Sequence, residues 1–277
     1  MKPLPLGINT FSYIYSHNVV DCLRHLGRLG FGAFEILVNC PHFWVTEFTA
    51  EERREVPKIL HGEGLKIVSV NLPGMDNNVV SSAPEMRAFT VRQWCDLVDL
   101  AGEWGISWVI VVPGRISPLL PMPREQIESY WTEGMTVVAD RAMAAGTGVL
   151  IENVPITWIP RGKDLVAAIS MLERNDVGVI YDPANALAAG EDPSVGVRAV
   201  KDRLKLVHLS DTPADGWKHD PIGSGDIDFT AFNAALREIG YEGLSMLELI
   251  TATPDRDVPE SLEKLKALGW VIRNDIG

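Results

Sequence analysis

PLGINTFSYIYSHN, residues 5–18, decides between two ways of building this chain. PLGINT, 5–10, reads as a short strand. NVVDCLRHLGRL, 18–29, reads as a helix whose apolar positions recur three and four apart, with Asn18 and Asp21 at its N-terminus as a cap. The turn between them, NTFSYIYSHN at 9–18, contains no glycine. A dinucleotide-binding sheet needs GxGxxG there, so that backbone N–H groups can approach a pyrophosphate. Strand–helix alternation without that cradle is read as a closed barrel, not an open doubly wound sheet.

The alternation continues outward from this stretch. Further short apolar runs lie at 33–38, 66–71, 107–112, 148–152, 177–181, 204–209 and 244–249, rich in Val, Ile and Leu as strands covered on both faces should be. Helical patterns fill 49–62, 84–104, 123–146, 162–173, 228–238 and 258–269, the first of them opened by Thr49. Eight strands with intervening helices give a single (β/α)8 TIM barrel, one domain over 1–277. The longest excursion is SDTPADGWKHDPIGSGDI, 210–227, and long loops at a barrel's catalytic face are usually functional.

Composition sets the class of partner. With 277 residues, 46% hydrophobic and 22% charged, the chain can fill a large core under a water-compatible surface. A net charge of −12 argues against nucleic acid as the main ligand, because phosphate binding draws on Lys and Arg. No apolar run approaches a membrane span, and the N-terminus has no signal-peptide core. Cys22, Cys40 and Cys95 form no CxxC pair and are expected as buried, reduced thiols in a cytoplasmic protein.

Barrel chemistry sits at the C-terminal ends of the strands. There the chain offers Glu152, Asp182, His208 and Glu248 on four consecutive strands. Three carboxylates crowded at ~4 Å and an effective dielectric near 20 repel by about 4 kcal/mol per pair. Either their proton affinities shift strongly or a cation neutralises them. One divalent ion leaves the site one unit negative, and an imidazole with three carboxylates suits Mn, Mg, Co or Zn without choosing among them.

These segments resemble a known family. GVLIENVP around Glu152, VGVIYDPANALAAGEDP around Asp182, KLVHLSD around His208, PIGSGDIDF after it and LELI around Glu248 are similar to the xylose isomerase-like barrels called sugar phosphate isomerases/epimerases. That group also includes ketose 3-epimerases, inosose dehydratases and endonuclease IV, and the resemblance spans nearly the whole chain. It implies the same four residues as a metal site, Glu152 and Glu248 as the pair that moves a proton, and a homo-oligomer. Two positions depart from the ketose epimerases. Asn185 stands where they carry a substrate-binding His, and Trp158 where they carry a second Glu. Against endonuclease IV, His219 matches a third-metal ligand, but its Asp partner is Trp217 and a zinc His is again Asn185.

The expected activity is metal-assisted isomerisation or epimerisation beside the carbonyl of a sugar or polyol, through an enediolate. Lys218 and His219, on the long loop, are reserve catalytic groups, and a dehydratase or a non-catalytic sugar-binding barrel are the alternatives. Asn185, Trp158, Asn71 and Phe11 are candidate substrate contacts, with Tyr13, Phe43 and Trp44 as further walls. Glu35, in AFEILV, is expected to serve as a satisfied hydrogen-bonding group.

Overall fold

A computed structural model describes residues 2–74 and 76–272. Eight parallel strands close on themselves: β1 (Leu4–Asn9), β2 (Ala33–Leu37), β3 (Lys66–Leu72), β4 (Trp108–Val111), β5 (Gly148–Glu152), β6 (Val177–Tyr181), β7 (Leu204–Leu209) and β8 (Ser245–Leu247). Neighbours in sequence are neighbours in the sheet, and β1 pairs with both β8 and β2 to shut the ring. The closed barrel expected from the glycine-free first turn is what forms.

Strand periodicity divides the apolar residues into two sets. Ala33, Val68, Ile110, Leu150, Ile180, Leu206 and Met246 point inward and make a small cluster that plugs the barrel. Their neighbours Phe34, Val109, Val149, Ile151, Val179, Val207 and Leu247 point outward and join the larger core under the helices. The plug is tight at β1. A Cβ on Gly7 would come within 2.8 Å of both the Ala33 carbonyl oxygen and Met246 Sδ, so only glycine fits.

The helices that cover the barrel are α1 (Val19–Arg28), α2 (Ala50–Gly62), α3 (Pro84–Trp104), α4 (Arg124–Ala145), α5 (Gly162–Ser170), α6 (Pro183–Ala188), α7 (Pro193–Ala199), α8 (Phe229–Glu238) and α9 (Pro254–Ala267). Asn18 caps α1 by accepting from the Asp21 N–H at 3.0 Å, and Thr49 with Glu52 makes a reciprocal capping box on α2.

Four features differ from the sequence reading. α6 and α7 fill the stretch before β7 where no helix was expected. Each is under two turns long, too short for a 3.6-residue period to register, and Gly190 at φ 73° separates them. α9 starts at Pro254, not 258, because proline at the first helical position loses no hydrogen bond. A ninth strand, β9 (Trp270–Ile272), pairs with the first half of β1. Among the thiols, Cys22 is buried, Cys95 partly so, but Cys40 is exposed on the loop after β2, contrary to the expectation of burial.

Among the described residues, no helix is long and apolar enough to cross a membrane.

Candidate metal centre

The in–out alternation that builds the plug also builds the site. Glu152, Asp182, His208 and Glu248 each lie two residues beyond an inward plug residue, namely Leu150, Ile180, Leu206 and Met246. All four are therefore aimed into the barrel mouth, where they are buried. One ligand atom from each lies within 4.8 Å of the others. His208 Nδ1 is at the centre: 3.0 Å from Glu152 Oε1, 3.2 Å from Glu248 Oε2 and 3.7 Å from Asp182 Oδ2.

The other face of the imidazole is occupied. His208 Nε2 meets Glu35 Oε1 at 2.7 Å, with both side chains fully buried. Asn9 Nδ2 donates to that oxygen at 2.6 Å and to Glu248 Oε1 at 2.9 Å, and Ser69 Oγ donates to Glu35 Oε2 at 2.7 Å. Burial by itself would raise the Glu35 pKa, but the His208 charge and the donors on His208, Ser69 and Asn9 outweigh it and hold the carboxyl below its ordinary range. Glu35 is thus a satisfied hydrogen-bonding group in mid-strand.

The cluster carries an excess of negative charge. Burial disfavours a charged His208, yet Glu248, Glu35 and Glu152 together hold its pKa well above the usual value. Burial also pushes Glu248 well above the carboxylate range. His208 opposes that shift, while Glu152, Asp182 and Glu35 reinforce it. Asp182 is buried too, but His219 and His208 keep it below its usual value.

Asp182 is held by its own helix. Its backbone is bracketed by Asn153, which donates to the Asp182 carbonyl and accepts from its N–H, both at 2.9 Å. Its Oδ1 caps α6 through the Ala184 and Asn185 N–H groups at 2.7 and 2.9 Å. Oδ2 is buried with no hydrogen-bond partner. A buried orphan carboxylate oxygen facing an imidazole and two more carboxylates is the pattern a cation resolves. Divalent ions take such N and O donors at about 2.0–2.2 Å, so ligand atoms already gathered this closely can converge on one by small side-chain adjustments. The residues present fit a divalent metal.

The loop 210–227 is fixed, not loose. Asp211, fully buried, accepts from the N–H groups of Thr212 (2.9 Å), Gly223 (2.8 Å) and Ile227 (3.2 Å), and it bridges Asp220 backbone to backbone. The Ile250 N–H donates to the His219 carbonyl at 2.8 Å, tying the loop to the end of β8. This brings His219 to the site: Nδ1 lies 3.4 Å from Glu248 Oε2, 3.6 Å from Asp182 Oδ2 and 3.0 Å from Ser210 Oγ. Lys218 stays at the rim, largely exposed, with Nζ 3.6 Å from Asp220.

A cleft of about 540 Å3 opens onto Glu152 and Glu248. Phe11, Asn71, Asn185, Lys218 and His219 line it together with Glu152 and Glu248. Asn71 Oδ1 is buried and unpartnered, free to accept from a ligand hydroxyl. Trp158 does not reach the cleft wall. Its Nε1 donates to the Pro113 carbonyl at 2.8 Å and its ring packs edge-on against Trp131, because the loop after β5 turns back onto α4. Tyr13, Phe43 and Trp44 also lie off the cleft lining; Phe43 packs edge-on against Phe48 and Trp104. Several lining residues were not assigned to the wall by the sequence reading, among them Val154, Ile156, Ile250 and Trp217. Trp217 Nε1 donates to Asn185 Oδ1 at 2.6 Å, and Asn185 Nδ2 reaches Glu152 Oε1 at 3.3 Å. Its replacement of an expected ligand was visible in the sequence, but its contact with Asn185 was not.

Comparison with known proteins gives one consistent result. Residues 23–268 match the family described as xylose isomerase-like TIM barrel. L-ribulose-5-phosphate 3-epimerase UlaE of Salmonella paratyphi C is 22% identical over 273 residues, covering 98% of this chain and 94% of that protein. Among solved structures, a D-tagatose 3-epimerase-like protein superposes with a TM-score of 0.84 at 21% identity, over 96% of this chain and 97% of that one. The IOLI protein with a binding zinc atom superposes at 0.80 with 16% identity, over 96% of each chain.

Proposed function

The chain belongs to the xylose isomerase-like TIM barrel family, and from that premise we propose that it is a divalent-metal-dependent isomerase or epimerase acting beside the carbonyl of a sugar or related polyol. One observation carries this reading. Glu152 and Glu248 reach the same imidazole nitrogen, at 3.0 and 3.2 Å, from strands three places apart around the barrel. Two carboxylates that approach one point from different sides can address both faces of a planar intermediate.

Glu152, Asp182, His208 and Glu248 would hold one ion, with Mn, Mg, Co and Zn all compatible with the donor set. When bound, the ion supplies Lewis-acid polarisation of the substrate carbonyl. Glu152 or Glu248 takes the proton from the neighbouring carbon, leaving an enediolate. The other carboxyl returns a proton to the opposite face of that carbon, which epimerises it, or to the former carbonyl carbon while the neighbouring hydroxyl proton passes to the former carbonyl oxygen, which isomerises the sugar. Asn185, pinned by Trp217, orients Glu152. Phe11 and Asn71 meet the substrate body, and Asn71 Oδ1 accepts one of its hydroxyls. Reduced thiols and an acidic surface suit work in the cytoplasm on a small neutral or weakly charged substrate.

His219 supports a second reading. Its Nδ1, 3.4 Å from Glu248, is placed to protonate a departing hydroxyl, which would convert the same enediolate into a dehydration product. Proton exchange in D2O, followed by NMR over ketoses, keto-inositols and dehydroshikimate with added metal, tests both. Exchange of deuterium into the substrate without loss of water supports the isomerase or epimerase. Loss of water with a new ultraviolet-absorbing enone supports the dehydratase. Binding without exchange leaves a sugar-binding barrel and overturns both.

A further inference from the structure

We propose that Glu35 is a positioning residue that decides which ring nitrogen of His208 faces the other three candidate ligands; this rests on the metal-centre reading above. Glu35 is fully buried in β2, and it meets only groups that can donate. Oε1 receives His208 Nε2 at 2.7 Å and Asn9 Nδ2 at 2.6 Å, and Oε2 receives Ser69 Oγ at 2.7 Å. An ionised carboxylate has no hydrogen to give, so the hydrogen in the short Glu35–His208 contact sits on Nε2. Nδ1 is then the nitrogen left to offer a lone pair, and it is the one that faces Glu152, Glu248 and Asp182.

Asn9 couples this arrangement to the rest of the centre. Its Oδ1 accepts from the Phe11 N–H at 2.8 Å, which fixes the amide orientation. Its two Nδ2 hydrogens then span Glu35 and Glu248. The residue that orients the imidazole and the ligand on β8 therefore share one anchor on β1. Partners of this kind behind a metal-binding histidine govern affinity, not only packing.

Glu35→Gln removes the negative charge behind His208 and sets an amide NH2 in place of one carboxylate oxygen, facing either Ser69 Oγ or His208 Nε2 and Asn9 Nδ2. We expect zinc affinity, measured by chelator competition, to fall about 10- to 100-fold. The imidazole nitrogen signals of zinc-loaded protein should then report a mixture of His208 tautomers, with the metal-free protein still folded. Should that variant not fold, Glu35→Asp keeps the charge but withdraws it by one methylene, and the same loss is expected. Unchanged zinc affinity with an unchanged tautomer in the folded variant overturns the role of Glu35 alone. Native protein that takes up no zinc overturns the metal-centre reading instead.

Discussion

Trp217 Nε1 donates to Asn185 Oδ1 at 2.6 Å, joining the loop after β7 to the first turn of α6 directly over Glu152. Trp217 is partly exposed, so the bond orients more than it stabilises. Trp217→Phe keeps the ring and deletes the donor. A neutral hydrogen bond is worth about 1 kcal/mol, so kcat/KM on whichever compound exchanges in D2O should drop about fivefold with metal content unchanged. Native kinetics in Trp217→Phe would show that Asn185 does not need its partner.

Removing the imidazole should empty the centre. His208→Ala leaves buried carboxylates facing each other without their shared nitrogen, and Asp182→Ala removes both the orphan oxygen and the cap of α6. The double variant should retain less than about a tenth of the native metal after dialysis, read by elemental analysis. Native metal content in that protein would remove the site as drawn.

The two proposed proton carriers should behave alike in turnover and differently in exchange. Glu152→Gln and Glu248→Gln should each slow catalysis by about 10²- to 10⁴-fold, the usual contribution of a positioned acid or base. Whichever variant still washes deuterium into the substrate carbon has kept the carboxylate that removes the proton. Full turnover in either variant eliminates the two-carboxylate mechanism.

Asp211 should matter without touching the centre. Its buried carboxylate accepts from three backbone N–H groups, and a hydrogen bond to a charged group contributes about 1.5–3 kcal/mol. Asp211→Asn should therefore destabilise the protein by a few kcal/mol, about one to two such bonds, and raise proteolysis within 213–226. It should lower kcat through loss of His219 placement while zinc still binds. A protected loop in that variant would mean that other contacts hold it.

His42 gives the fold an acid-sensitive element. Its Nδ1–H donates to the His17 carbonyl at 2.7 Å, and Nε2 lies 3.0 Å from Thr10 Oγ1, whose oxygen also accepts the Leu37 N–H at 3.0 Å. Burial, with a smaller push from His17, lowers its pKa below 6.5, against the His17 carbonyl bond that favours the charged form. The unfolded chain binds this proton more readily, so the contribution is complete above pH 6.5 and declines as pH falls toward the folded value. His42→Gln should reduce the slope of unfolding free energy against pH in that window, by at most about 1.4 kcal/mol per pH unit. Urea unfolding at pH 5.5 and 7.5 makes the comparison.

Much of this was legible because a buried barrel strand writes its geometry into the chain. Leu150 and Glu152, Ile180 and Asp182, Leu206 and His208, and Met246 and Glu248 are each two apart, so a residue that ends a strand in phase with the plug must point into the mouth. Trp158 was not legible in this way. It follows Glu152 by six residues, but beyond the strand no fixed period links position to direction, and its loop turned the indole onto Trp131. α6 and α7 were missed for a related reason, being too short to show a period.

The strand order, the closed sheet and the inward aim of the residues at the ends of β5 to β8 could be read from the chain alone, since period-two alternation and a glycine-free first turn are local properties. That Glu35 backs His208, that Asn9 serves Glu35 and Glu248 together, and that the loop folds His219 and Trp217 over the centre became visible in the folded barrel alone. Those pairings join residues up to 239 positions apart. They arise because closing the ring brings β1 and β2 against β7 and β8 across its mouth, a distance that no local pattern encodes.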